Sequence, residues 1–203
     1  MVIRTAPITW AELQFIINSN RLDDLGRSVK QTEEYENFKW MLHQKRHDMT
    51  TNLLVNSLHW LPSDFDLSTS AKESLKEVVC ENPEPFKSPH DITIVYNAFP
   101  YYYAENDHIV HLCIWVKFPM DPDTKSPIGD IPKSMKEKIQ RYIDLTFGKL
   151  GIKGDDIVWW KNPTALQSIR SLPHIHVAIK TGDDANMRIK LDKLVRSSRS
   201  VKL

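Results

Sequence analysis

Over the first 82 residues, apolar side chains recur every three or four positions, which is the spacing of one buried helix face. Three segments place a hydroxyl three residues before an acid or an amide, the pattern of a helix N-terminus. The three are Thr9-x-x-Glu12, Ser28-x-x-Gln31 and Ser70-x-x-Glu73. A further apolar run, 53–60, ends before Pro62, and a proline-rich break follows at 82–85. These patterns predict a helical N-terminal segment over residues 1–85.

From residue 86 the pattern changes to the alternation and β-branched content that is typical of strands. A helix signal, Ser134-x-x-Glu137, separates two strand-like segments from two later ones. The predicted strands lie at 92–96, at 109–118, at 157–160 and within 171–180. We therefore predict an α+β fold: a twisted antiparallel sheet with one helix over residues 86–185, with the helical N-terminal segment packed on it.

The last 18 residues, 186–203, carry six Lys or Arg and one Asp, while the whole chain has a net charge of only +1. Their apolar positions 187, 191, 194 and 195 follow helical spacing, so we predict a basic C-terminal tail or helix. The remaining residues hold 21 basic and 25 acidic side chains, obtained by subtracting the tail from the 27 and 26 of the chain. This balance does not favour nucleic acid as a partner.

The composition also limits the cellular setting. No apolar run approaches the roughly 18 residues of a membrane span, and the N-terminus lacks a signal-peptide pattern. Cys80 and Cys113 are too few for a disulfide framework, and Cys113 lies in an apolar run, so we expect reduced, structural thiols. We therefore expect a cytoplasmic protein, with the nucleus left open. No cofactor is predicted, and the oligomeric state stays open.

The candidate chemistry centres on His174 and His176. They alternate with Ile175, Val177 and Ile179, so both imidazoles point to one face of a strand and the aliphatic side chains to the other. Such a pair fits a nucleophile site, a metal site or a pair of structural or surface-exposed histidines. His108 and His111 are three residues apart and face opposite sides of a strand, so only one of them can join the pair. Because no dedicated metal-ligand motif is present, we rank a metal site below a nucleotide site and predict no bound metal.

Residues 90–180 resemble the core of the histidine-triad (HIT) superfamily, which includes nucleotide hydrolases and nucleotidyl transferases. Four local matches occur in the family's order. They are Asn97-x-x-Pro100, the segment from His111 to Lys117, Asn162, and Ser171-x-x-His174-x-His176. The resemblance implies a HIT-like fold that binds a nucleotide or a nucleotide-sugar phosphate.

The same resemblance assigns roles to individual residues. It makes His176 the nucleophile of a hydrolase or nucleotidyl transferase and His174 a catalytic group that orients the ligand. It implies a phosphate site of Ser171, Asn162 and Arg170, a ribose or sugar site at Asn97, and supporting roles for His111 and Lys117. One position departs from the family pattern, because Ala178 stands where the third histidine belongs and alanine cannot transfer a proton.

A second resemblance covers most of the chain. The segments HIVHLCIWVKF, GDIP and WWKNPTALQSIRSLPHIHV, with the helical front, are similar to a fungal family named for N-acetylglucosamine-induced proteins, which has no assigned reaction. Two non-enzymatic alternatives stay open. One is a sensor that binds the ligand without turnover, and the other is an interaction module that binds a protein partner through the N-terminal helices.

Overall fold

A computed structural model describes residues 2–200 as an α+β fold. Its strands are β1 (Val2–Ile3), β2 (Gly26–Arg27), β3 (Ile92–Tyr96), β4 (Ile109–Val116), β5 (Ile157–Trp160) and β6 (His174–Lys180). Its helices are α1 (Trp10–Asn18), α2 (Val29–Gln44), α3 (Met49–Asn56), α4 (Ala71–Ser74), α5 (Lys133–Phe147) and α6 (Ala185–Ser200). The main sheet has the order β3-β4-β6-β5 and is antiparallel throughout, which confirms the predicted fold class.

The N-terminal segment is not purely helical, because β1 and β2 form a small parallel pair that the helical pattern did not predict. Gly26 permits this pairing: a Cβ there would lie 2.3 Å from the carbonyl oxygen of Val2. Two-residue strands leave too short an alternation to be read from a sequence.

Helix starts follow the predicted capping residues in the N-terminal segment. The side chains of Thr9, Ser28 and Ser70 accept hydrogen bonds from the backbone three residues on. The prediction of a cap at Ser134 was wrong, since α5 begins at Lys133 with Pro132 in the cap position and no side-chain bond. The ring of Pro132 holds φ at −58°, which suits the start of a helix without a capping hydroxyl.

The two faces of the sheet differ in chemistry. One face carries aliphatic residues such as Ile94, Ile114 and Val177, which pack with α5 and α6 in the largest buried cluster. Alternation sends the histidines to the other face, which we call the histidine face. The N-terminal segment covers it: Leu13 of α1 packs in one cluster with Trp160, and Leu54 of α3 packs in another with Trp115.

The basic C-terminal region forms α6, as predicted, with Leu191 and Val195 buried against the aliphatic face. Residues 201–203 of the predicted tail lie outside the described range. Within residues 2–200, no helix has the length and apolar character needed to cross a membrane.

Candidate functional site

The sheet register brings the predicted histidines together. Cys113 of β4 lies opposite His176 of β6, and Trp115 lies opposite His174. On the other side of β6, Trp160 of β5 also pairs with His176. Because directly paired residues in a sheet point to the same face, these five side chains form the centre of the histidine face.

Two tryptophans fix the histidine rings. The Trp115 and His174 rings stack with centroids 4.1 Å apart, and the Trp160 ring lies 11° from parallel to the His176 ring at 5.2 Å. His174 and His176 are each 7% exposed. Stacked, nearly buried rings of this kind have little freedom to turn, so the site is pre-organised.

A chain of hydrogen bonds runs through His176. The Asn162 Nδ2 lies 3.1 Å from His176 Nε2, His176 Nδ1 lies 3.0 Å from His111 Nε2, and His111 Nδ1 lies 3.0 Å from the Tyr103 hydroxyl. An amide N–H only donates, so His176 Nε2 accepts, its Nδ1 donates to His111, and His111 Nδ1 donates to Tyr103. The Asn162 Oδ1 atom is buried and has no partner among the described residues.

Burial sets the protonation of the cluster. It lowers the pKa of His111 to about 3 and that of His174 to about 4, and it lowers the pKa of His176 well below its usual value. For His176 the neighbouring histidines and Arg27 add to the effect. Burial raises the pKa of the Cys113 thiol to about 12. Near neutral pH the three imidazoles are therefore uncharged and the thiol keeps its proton.

The histidine face forms the floor of a cavity of about 380 Å³. Rings and aliphatic chains make up much of its wall, including Tyr35, Phe38, Leu53, Phe99, Tyr101 and Ile169. Its charged lining, within residues 2–200, consists of Arg27 and Arg199, with no carboxylate. The Arg27 Nε and Nη2 donate to the Phe99 carbonyl oxygen at 3.1 and 2.8 Å. The Arg199 Nε is buried and lacks a hydrogen-bond partner among the described residues.

Four of the predicted site residues line this cavity: His174, His176, Asn162 and Asn97. The Asn97 side chain already contacts other residues: its Oδ1 accepts from the Phe99 N–H at 3.0 Å, and its Nδ2 lies 3.3 Å from His111 Nδ1. Their proposed roles stay predictions.

The predicted phosphate residues Ser171 and Arg170 line a separate cavity of about 220 Å³, together with Lys161. The Ser171 hydroxyl lies 3.1 Å from that of Thr50. Lys117 is placed with its Nζ 5.4 Å from the Trp60 ring centroid and lines neither cavity. The structure thus divides the predicted phosphate set between two places.

Three further residues line this cavity that the sequence patterns did not predict: Cys113, Arg27 and Arg199. A signal existed for Cys113, because it stands two residues after His111 on one strand and so shares its face. The two arginines reach the cavity from β2 and α6, far along the chain from the histidines. Short sequence patterns cannot predict contacts between residues so far apart along the chain. Ala178 is fully buried and pairs with His111, so this position makes an apolar contact in this chain.

Comparison with known proteins places the chain among fungal relatives. N-acetylglucosamine-induced protein 1 of Candida albicans is 43% identical over 180 residues, which cover 88% of this chain and 70% of that protein. Uncharacterized protein YPL067C of Saccharomyces cerevisiae is 24% identical over 174 residues, covering 84% and 77% of the two chains.

A solved structure, the crystal structure of HTC1, superposes with a TM-score of 0.65 at 22% identity, covering 93% of this chain and 96% of that one. This likeness concerns the fold alone. The family model described as protein of unknown function (DUF3605) matches residues 9–180. The chain therefore belongs to the DUF3605 family, and the Candida N-acetylglucosamine-induced protein 1 is its relative.

Proposed function

We propose that this protein binds a nucleotide or a nucleotide-sugar phosphate in the cavity over the histidine face. One observation carries the proposal: among the described residues the cavity is walled by aromatic rings, contains two arginines and has no carboxylate. An apolar pocket with a few cations suits a ligand that joins a flat ring to an anionic group. The volume of about 380 Å³ lies within the ~300–1,000 Å³ usual for small-molecule sites.

Arg199 supplies the specific contact for the anionic group. Its Nε is buried without a partner among residues 2–200, and leaving a buried charged donor unpaired costs free energy. A phosphate oxygen would satisfy this atom. The resemblance to the HIT superfamily supports the same ligand class, since His174 and His176, which carry it on β6, lie on the cavity floor.

Hydrolysis or nucleotidyl transfer through His176 is the catalytic form of this proposal. In such a step the Nε2 lone pair would form a bond to phosphorus as the bond to the leaving-group oxygen breaks, and water would later cleave the N–P bond. The observation in its favour is the contact of His176 Nδ1 with His111, which holds the proton away from Nε2. A bound ligand would have to displace the Asn162 amide from Nε2 first.

Proton supply favours the non-catalytic form, a sensor that binds without turnover. A leaving group needs a proton, and Ala178 has none to give. The His174 Nδ1 lies 3.1 Å from the Leu172 carbonyl oxygen, so Nδ1 carries the proton and Nε2 the lone pair. The lowered pKa of His174 keeps that ring neutral near pH 7. We therefore propose binding without turnover as the main activity, in the cytoplasm, where free Cys80 and Cys113 stay reduced.

The test exposes the purified protein to nucleoside monophosphates, nucleotide sugars, dinucleoside polyphosphates and nucleoside phosphoramidates. Melting temperature reports binding, and mass spectrometry reports products. We expect one ligand class to raise the melting temperature with no product formed. Product that is lost in His176→Ala and kept in the exposed control His43→Ala would establish the catalytic form instead. No shift and no product across the panel would refute the proposal.

An interaction role for the N-terminal helices is a separate candidate, favoured by the exposure of Trp40 on α2 at 64%. In that case Trp40→Ser would abolish recovery of a specific protein partner and leave ligand binding unchanged. Partner recovery that survives Trp40→Ser would argue against this surface.

A further inference from the structure

His111, Cys113 and His176 form a compact group of metal-ligating side chains beneath the cavity. Each offers one ligand atom, the three atoms lie within 4.8 Å of one another, and all three residues are buried. The sheet creates this group directly: alternation puts His111 and Cys113 on the same face of β4, and the register sets His176 opposite Cys113.

We propose that these three side chains bind one Zn²⁺ ion, with the fourth coordination position open to the cavity. With Zn–N at about 2.0–2.1 Å and Zn–S at about 2.3 Å, tetrahedral ligands lie about 3.3 Å (N to N) and about 3.6 Å (N to S) apart. His176 Nδ1 is 3.0 Å from His111 Nε2 and 3.6 Å from the Cys113 sulfur. These two distances lie within a few tenths of an ångström of the tetrahedral values, and the third, between the His111 ligand atom and the Cys113 sulfur, is within 4.8 Å.

The outer contacts of the two histidines suit a metal site. A ligating imidazole donates its other ring N–H to a fixed acceptor, which orients the ring. His111 Nδ1 has the Tyr103 hydroxyl at 3.0 Å for this purpose. When an ion takes His176 Nδ1, the proton moves to Nε2 and needs an acceptor at the position of the Asn162 amide.

Asn162 can supply that acceptor. Its Oδ1 is buried and has no partner within the described part of the chain. A half-turn of the amide exchanges oxygen for nitrogen, so that Oδ1 accepts from His176 Nε2. The amide can therefore serve a His176 ring that carries its proton on Nε2, as a metal-bound His176 does.

The ligand types select the class of ion. Two imidazoles and a thiolate favour zinc or copper(I), and they disfavour magnesium and calcium, which prefer oxygen ligands. Binding replaces the proton on the Cys113 sulfur, which leaves as H⁺ to solvent while a Zn–S bond forms. Because Cys113 and His176 also line the cavity, water or an anion from the cavity can complete the coordination.

This site goes beyond the proposed function and does not depend on it. An ion at Nδ1 puts the proton on Nε2 of His176, so the metal-loaded protein has no nucleophile there. The proposed zinc site departs from the prediction of no metal site, which weighed His108 or His111 as a partner for the pair of His174 and His176 and left Cys113 out.

The experiment titrates chelator-dialysed full-length protein with Zn²⁺, with no nucleotide present, and measures affinity by competition with a chromophoric chelator. Co²⁺ is added in parallel, because a cobalt–thiolate bond gives a charge-transfer absorption band. Cys113→Ser removes the sulfur at nearly constant volume, and Cys80→Ser is the matched control, since Cys80 lies away from the cluster near the Asn82 carbonyl oxygen. We expect one Zn²⁺ per chain, a loss of affinity of about 100-fold or more in Cys113→Ser, and no change in Cys80→Ser.

Equal Zn²⁺ affinity in Cys113→Ser and wild type, or no binding by wild type at micromolar Zn²⁺, would overturn the proposal. Copper(I) bound at the same stoichiometry with Zn²⁺ rejected would overturn the choice of ion. If Cys113→Ser does not fold, the cobalt spectra of wild type and Cys80→Ser decide. The thiolate band in both proteins supports the site, and its absence from either of them refutes it.

Discussion

Deleting residues 1–85 should unfold the remaining sheet, because the N-terminal segment covers the histidine face. Four large apolar side chains of that face are nearly buried in clusters shared with the deleted part. They are Val95, Trp115, Trp160 and Leu172, at 5%, 6%, 3% and 3% exposure. At about 1.5–3 kcal/mol for each side chain, their exposure costs about 6–12 kcal/mol. That cost equals most of the ~5–15 kcal/mol by which a typical domain is stable.

The assay compares the 86–203 fragment with the full chain by near-ultraviolet circular dichroism and urea denaturation. We expect a fragment without a cooperative transition. The matched control adds the 1–85 fragment in trans, which should restore the transition if coverage of the face is the cause. A fragment that unfolds cooperatively at the midpoint of the full chain would refute the reasoning, and would support a domain boundary at the proline-rich break at 82–85.

Three further predictions concern buried groups. Thr51 is fully buried and its hydroxyl contacts the Thr69 carbonyl oxygen at 2.7 Å, so Thr51→Val should lower the free energy of unfolding by about 1–3 kcal/mol in urea denaturation. Leu13 is also fully buried, and Leu13→Ala should cost about 2–5 kcal/mol in the same assay; a loss under 1 kcal/mol would contradict the packing. The pKa of His174 is lowered from 6.5 to about 4 in the folded chain, so the unfolded chain binds the extra proton and stability falls as pH drops through that window. His174→Gln should make this fall shallower by up to about 1.4 kcal/mol per pH unit, and an unchanged slope would contradict the assignment.

Local signals predicted much of the fold. The capping residues Thr9, Ser28 and Ser70 begin helices because each cap involves only neighbouring residues. The strands of the main sheet also lie where the alternating and β-branched residues predicted them. The cap at Ser134 failed because Pro132 starts the helix by fixing its own φ.

The candidate site was harder to predict, because its partners come from distant parts of the chain. Alternation placed His174 and His176 on one face, yet only the strand register brings Cys113 opposite His176. Arg199 reaches the cavity from the last helix, 23 positions beyond His176 by difference of residue numbers. No pattern along the chain encodes a contact of that kind, since it depends on how helices and sheet pack together.

Isothermal titration with the nucleotide or nucleotide sugar that gives the largest thermal shift tests ligand binding most directly. The titration compares wild type with Arg199→Gln and with Arg196→Gln, which removes a charge from the same helix outside the cavity lining. A lost charge-assisted hydrogen bond of about 1.5–3 kcal/mol predicts a dissociation constant raised at least about tenfold in Arg199→Gln and unchanged in Arg196→Gln. Equal affinity in all three proteins would show that the ligand binds elsewhere and would contradict a binding site over the histidine face.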